Sequence, residues 1–140
     1  MSEKYKILSN FVKDMSSETP DVESYLSTKN NINKYELDID ISSKPLKNKL
    51  IEVNTSLKFQ NKTQADKKSY FEIVYASIVQ IEESIKEKKD LQKIILCDIQ
   101  NDIYPKLEKI LLNLLNDSGY SNVKFDKKVD FNKLFYDKFN

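Results

Sequence analysis

Histidine, arginine and tryptophan are absent from this 140-residue sequence, and glycine and cysteine occur once each, as Gly119 and Cys97. Without histidine the commonest proton shuttle near neutral pH and the commonest metal ligand are missing, which excludes a Ser-His-Asp or Cys-His nucleophile. A single glycine excludes the phosphate loop and the dinucleotide fingerprint, because both need several glycines where backbone approaches phosphate. All 23 basic residues are lysine, so the planar fork that reads guanine or clamps phosphate is unavailable. One cysteine forms no internal disulfide. No apolar run approaches the ~20 residues that cross a bilayer, and "MSEKYK" leads into no apolar signal core, so a mature cytoplasmic protein is expected. The formal charge of +1 points to no polyanionic partner, and nucleic acid is not expected as one.

What is present is aromatic and aliphatic: eight Tyr, seven Phe and a hydrophobic fraction of 39%, enough for one core in a single domain spanning residues 1–140. Four segments have strand periodicity. "KYKILSNFVKDMSSE" alternates weakly. "YELDIDI" sets Tyr35, Leu37, Ile39 and Ile41 against Glu36, Asp38 and Asp40, and "IEVNTSLKF" repeats that alternation; both read as half-solvated antiparallel strands. "SYFEIVYASIVQI" is apolar on both parities. Between the first two strands "TPDVESYLSTKNNIN" reads as a linker, and "NKTQADKK" reads as the turn into the fourth strand.

From Leu91 the apolar spacing changes to three and four through Leu114, a long amphipathic helix with Gly119 as its stop and an expected kink near residues 101–104, ahead of Pro105. "EESIKEKKD" before it fits a charged crossover or the first turns of that helix. Asp130 is placed to cap a short last helix with Phe131, Leu134, Phe135 and Phe139 as its stripe. The fold class is therefore α+β, a four-stranded antiparallel meander with one long and one short C-terminal helix. Two helices cover one sheet face, so Phe71, Ile73 and Tyr75 are expected to pack on helices, the chain's own or those of a partner subunit: an interface is favoured, and ordinary monomer core is the alternative. On the other parity Asp14, Glu18 and Glu72 would join Glu36, Asp38, Asp40 and Glu52 in an acidic, wet face. That face is either a partner surface or the solvated side of an amphipathic sheet.

The ordered set "FVKDMSSETPD", "YELDID", "IEV", "FEI", "IYPKLEKILLNLLNDSGY" and "VDFNKLFYDKF" resembles the SecB protein-export chaperones over nearly the whole chain. The resemblance implies an ATP-independent holdase, a homotetramer built as a dimer of dimers, which keeps precursor proteins unfolded and delivers them to the SecA motor ATPase. It implies no catalytic residue, metal or cofactor and no direct membrane insertion. By position it assigns motor binding to Asp14, Glu18 and Glu72, and the oligomer interface to Phe71, Ile73 and Tyr75. Tyr25, Ile32, Tyr35 and Ile85 either line a client groove beside the crossover or anchor loops. Cys97 reads as a small buried hydrophobe, and the Lys-rich run 86–89 as solvated surface. Two alternatives keep their place: a SecB-like chaperone serving a toxin–antitoxin pair, and an α+β enzyme using Asp, Glu, Lys or Tyr.

Overall fold

The structure is a computed structural model that describes residues 4–62, 69–121, 123–125 and 128–139. Most of the expected turn before the fourth strand, residues 63–68, lies outside them. The strands are β1 (Tyr5–Glu18), β2 (Glu36–Pro45), β3 (Leu50–Gln60) and β4 (Tyr70–Ile81). They form one antiparallel sheet in the order β1-β4-β3-β2. The expected simple meander is thus corrected: β1 lies beside β4, at the opposite edge from β2. The chain between β1 and β2 must therefore travel across one end of the sheet. It does so through α1 (Val22–Asn30), a helix where the sequence reads as linker. Asp21 caps this helix, its carboxylate accepting from Ser24 N at 2.7 Å.

Strand register decides which residues share a face, since directly opposed residues point the same way. Thr55, Leu57 and Phe59 of β3 stand opposite Tyr75, Ile73 and Phe71 of β4, and all six are buried. The helical layer lies on that side. It consists of α2 (Lys88–Lys93), a π-helical turn at Ile94–Asp98 and α3 (Ile99–Asp117), joined without a break because the residues at both junctions are helical. Ile94, Ile99, Ile103, Leu107, Leu111 and Leu115 of this body are at most 3% exposed and join the same apolar cluster. The irregularity lies at the π turn and not at residues 101–104, and Pro105 is accommodated inside α3. Buried Gln100 stitches the turn to the sheet: its amide donates to Ile95 O at 3.2 Å and its carbonyl accepts from Thr55 Oγ1 at 3.0 Å. Such a satisfied pair places a polar group in the core without an orphaned donor or acceptor.

Gly119 ends the helix at φ +103°, with Tyr120 N donating to Leu115 O at 2.8 Å. The last helix, α4 (Phe131–Phe139), starts with Lys133 N on the Asp130 carboxylate at 3.0 Å. It buries Phe131 and Phe135 but leaves Leu134 half exposed, so the expected stripe is narrower than its sequence suggests. The side chain of Phe139 lies outside the described residues. Cys97 is fully buried, its Sγ facing Phe131 O at 3.4 Å, and burial pushes its thiol pKa up. Among the described residues no helix is long and apolar enough to cross a membrane.

Phe71, Ile73 and Tyr75 call for a correction. They are 0%, 0% and 2% exposed in the single chain, inside the apolar cluster with the helical body, and Phe71 packs on Tyr35, Phe59 and Tyr120. They are core residues, enclosed by their own chain, and leave nothing at the surface for a partner subunit to contact.

Candidate functional site

The opposite sheet face carries the even-numbered residues of β3 and β4 and their partners on the edges. Glu72 stands opposite Ser16 and Lys58, Val74 opposite Asp14, and Tyr70 opposite Glu18. The three carboxylates expected to act together do converge, and they converge on a residue the sequence reading passed over. Tyr70 donates to Glu72 Oε2 at 2.7 Å. Its hydroxyl is pushed up to about 12, first by burial, then by Glu72, and then by Glu18 and Asp14. A phenol surrounded by carboxylates resists becoming another anion. Lys58 lies 3.6 Å from Glu72 and Lys13 2.7 Å from Glu52, and the Lys13 contact, followed by Asn54, holds the Glu52 carboxyl below its usual range. Among the described residues Asp14, Glu18, Glu36 and Asp40 form no ion pair. This face can accept cationic side chains around a half-buried aromatic ring. The signal for Tyr70 was its place two residues before Glu72 on the same strand, which puts both on the face that Glu18 shares.

Apolar surface is exposed in two further places. On β1 the side chains of Leu8, Phe11, Val12 and Met15 are between 42% and 49% exposed, on an edge strand with register shifts at residues 7–9 and 12–14. At the other edge a trough of about 170 Å³ runs between β2 and α4, lined by Ile39, Asp40, Ile41, Leu96, Phe131, Leu134 and Phe135. Because β2 pairs on one side only among the described residues, that trough lies next to a row of free backbone groups.

The expected client-groove residues divide. Tyr25 rests on Tyr120 with ring centroids 5.3 Å apart and donates to Gly119 O at 3.1 Å. Ile32 lines a hollow of about 230 Å³ with Lys29, Gly119, Tyr120, Ser121 and Val123. Tyr35 is instead a core residue, 7% exposed, donating to Ser69 O at 2.6 Å and packed on Phe59 and Phe71. Ile85 lies past the far end of β4, in a different hollow with Lys49 and Lys86. At ~3.3 Å per residue the length of β4 separates it from the others. The structure therefore brings Tyr25 and Ile32 together and corrects the grouping of Tyr35 and Ile85 with them. The β2–α4 trough, built from residues of both, was missed because its lining comes from segments distant in sequence.

The comparisons with known proteins agree on one family. The family model described as preprotein translocase subunit SecB matches residues 1–140. A putative protein-export protein SecB of Pelagibacter ubique is 54% identical over 140 residues, the whole of both chains. The protein-export protein SecB of Bradyrhizobium diazoefficiens is 24% identical over 129 residues, covering 92% of this chain and 78% of the relative. Among solved structures, the Mycobacterium tuberculosis SecB-like chaperone in complex with a ChAD peptide from the HigA1 antitoxin has a similar fold. Its TM-score is 0.64 at 10% identity, over 89% of this chain and 91% of that one.

Proposed function

The chain belongs to the SecB family and is a protein-export chaperone, and from that premise we propose that it holds precursor proteins unfolded in the cytoplasm without ATP or any enzymatic step. It does so as one domain over residues 1–140, assembled as a dimer of dimers, and delivers its clients to a SecA-like motor ATPase.

The observation that carries the client reading is the trough beside β2. An extended segment of a non-native protein adds to the free edge of β2 through main-chain hydrogen bonds, which every sequence offers, and drops alternate apolar side chains against Leu96, Leu134 and Phe135. The hollow at Ile32, with Tyr25 beside it, offers a second recess at the crossover end. Affinity per site stays modest, and repetition over four subunits supplies avidity while each contact remains reversible. Self-association is supported by the exposed apolar side chains of β1, an edge strand able to pair with a second copy of itself. Delivery is supported by the carboxylates around Tyr70, which suit a basic tail.

The test is suppression of aggregation of a reduced, unfolded protein by purified chain in the absence of ATP. The parent is expected to suppress, and Leu134→Ser with Ile41→Ser, both partly exposed positions, to lose about tenfold in client affinity, since each removes ~1 kcal/mol or less of apolar contact. Equal capture by parent and variant, with the variant's secondary structure intact, moves the client site away from the trough.

A further inference from the structure

We infer that the end of the sheet opposite the crossover is a docking surface for anionic phospholipid headgroups. Charge is unevenly distributed in a chain whose total is only +1. Lys4 precedes β1 and Lys6 lies at its start, the β2–β3 hairpin carries Lys44, Lys47 and Lys49, and the segment after β4 reads Lys-Glu-Lys-Lys at 86–89. Strand pairing gathers these three segments at one end. Lys6 and Leu50 both stand opposite Gln80, Glu82 N donates to Lys4 O at 2.9 Å, and Lys49 Nζ meets Glu83 at 2.9 Å. Lys49, Glu83, Ile85 and Lys86 line one hollow, and Lys6 flanks the next.

The carboxylates at this end, Glu52 opposite Lys44, Glu82, Glu83, Glu87, Asp90 and Asp102, are still fewer than the lysines, and Lys49 is the one of these lysines that forms an ion pair among the described residues. All of these lysines are exposed. The carboxylates around Tyr70 lie toward the other end, where Glu18 pairs with Tyr70. The molecule is therefore electrostatically two-ended, and a flat anionic surface attracts the lysine end first.

The chemistry favours lipid over nucleic acid. There is no arginine to read guanine, and the aromatic ring at this end, Tyr5, is tied to Asp98 O and the Asp102 carboxylate instead of standing free as a stacking platform. Lysines on three neighbouring segments, with the partly exposed Leu46 and Ile85 among them, need only a diffuse anionic field and a shallow apolar boundary. A protein-export chaperone works toward a membrane, and this docking leaves both the trough beside β2 and the carboxylate face unobstructed. The inference rests on the lysine end alone and is tested without client or motor.

The full chain is floated with vesicles of phosphatidylcholine containing about one-third phosphatidylglycerol, and with vesicles of phosphatidylcholine alone. Binding to the mixed vesicles that falls as salt rises is expected. Each lysine near an anionic surface contributes about fivefold, so Lys47→Gln with Lys86→Gln and Lys89→Gln is expected to lose on the order of 100-fold. The same charge removed elsewhere, by Lys29→Gln with Lys106→Gln and Lys109→Gln, is expected to change little. Equal binding to neutral vesicles, equal loss in both triple variants, or no vesicle binding alongside salt-sensitive binding of a homopolymer RNA each overturns the proposal.

Discussion

Tyr75 stands between Thr55 and Val12 in the register and is 2% exposed, which decides what a charge there does. Periodicity placed it correctly on the helix-facing parity with Phe71 and Ile73. What the residues did not reveal was the amount of helix above them, because α1 buries Ser24 and Thr28 rather than an apolar stripe, and α2 begins within a charged run. Tyr75→Glu is therefore expected to unfold the subunit, at a cost above about 4 kcal/mol for an unpaired buried charge plus lost packing. Phe11→Lys with Met15→Lys, at exposed positions of β1, is expected to keep the native secondary structure while light scattering reports a lower mass. A folded Tyr75→Glu subunit of reduced mass would return the interface to β4.

At the scale of elements, β2 and β3 were legible because one face is wet, so the alternation of Leu37, Ile39 and Ile41 with Glu36, Asp38 and Asp40 is undiluted. The place of β1 beside β4 was not legible, since pairing at long sequence separation leaves no local trace. The crossover helix α1 was missed for a chemical reason. It docks by hydroxyls: Thr28 Oγ1 donates to Ser69 Oγ at 3.0 Å and accepts from Ser69 N at 3.2 Å, while Val22 and Leu26 point outward at 72% and 52% exposure. A helix held this way depends on its cap more than one anchored by leucines. Asp21→Ala is expected to weaken α1 by about 1 kcal/mol, seen as faster hydrogen exchange from Tyr25 to Asn30 with exchange in β4 unchanged. Faster exchange along β4 as well would make the cap a global rather than a local anchor, and unchanged exchange in α1 would remove its role.

For the whole molecule the two sheet faces divide the labour, one enclosed by helices and the other open and largely acidic. The open face was readable in outline from alternation, and the register shows that Asp14, Glu18 and Glu72 share one neighbourhood around Tyr70. Its proposed partner is the basic tail of the motor. Exposed charge contacts contribute about 0.2–1 kcal/mol each, so Asp14→Lys alone is expected to do little. Adding Glu72→Lys changes more than one contact. It releases Tyr70 and Lys58 from the carboxylate that holds them, and it sets like charges against the tail. The double variant is expected to bind the motor at least tenfold more weakly, mainly through a slower association rate. The parent complex is expected to loosen as ionic strength shortens the reach of these charges to ~8 Å near physiological salt. Client capture, proposed to use the trough at the other edge strand, is expected to be unchanged in the same preparation, and that internal control separates a lost contact from a damaged fold. Motor binding that is indifferent both to salt and to the double substitution would leave the carboxylates around Tyr70 as solvated surface and move the delivery contact to another face.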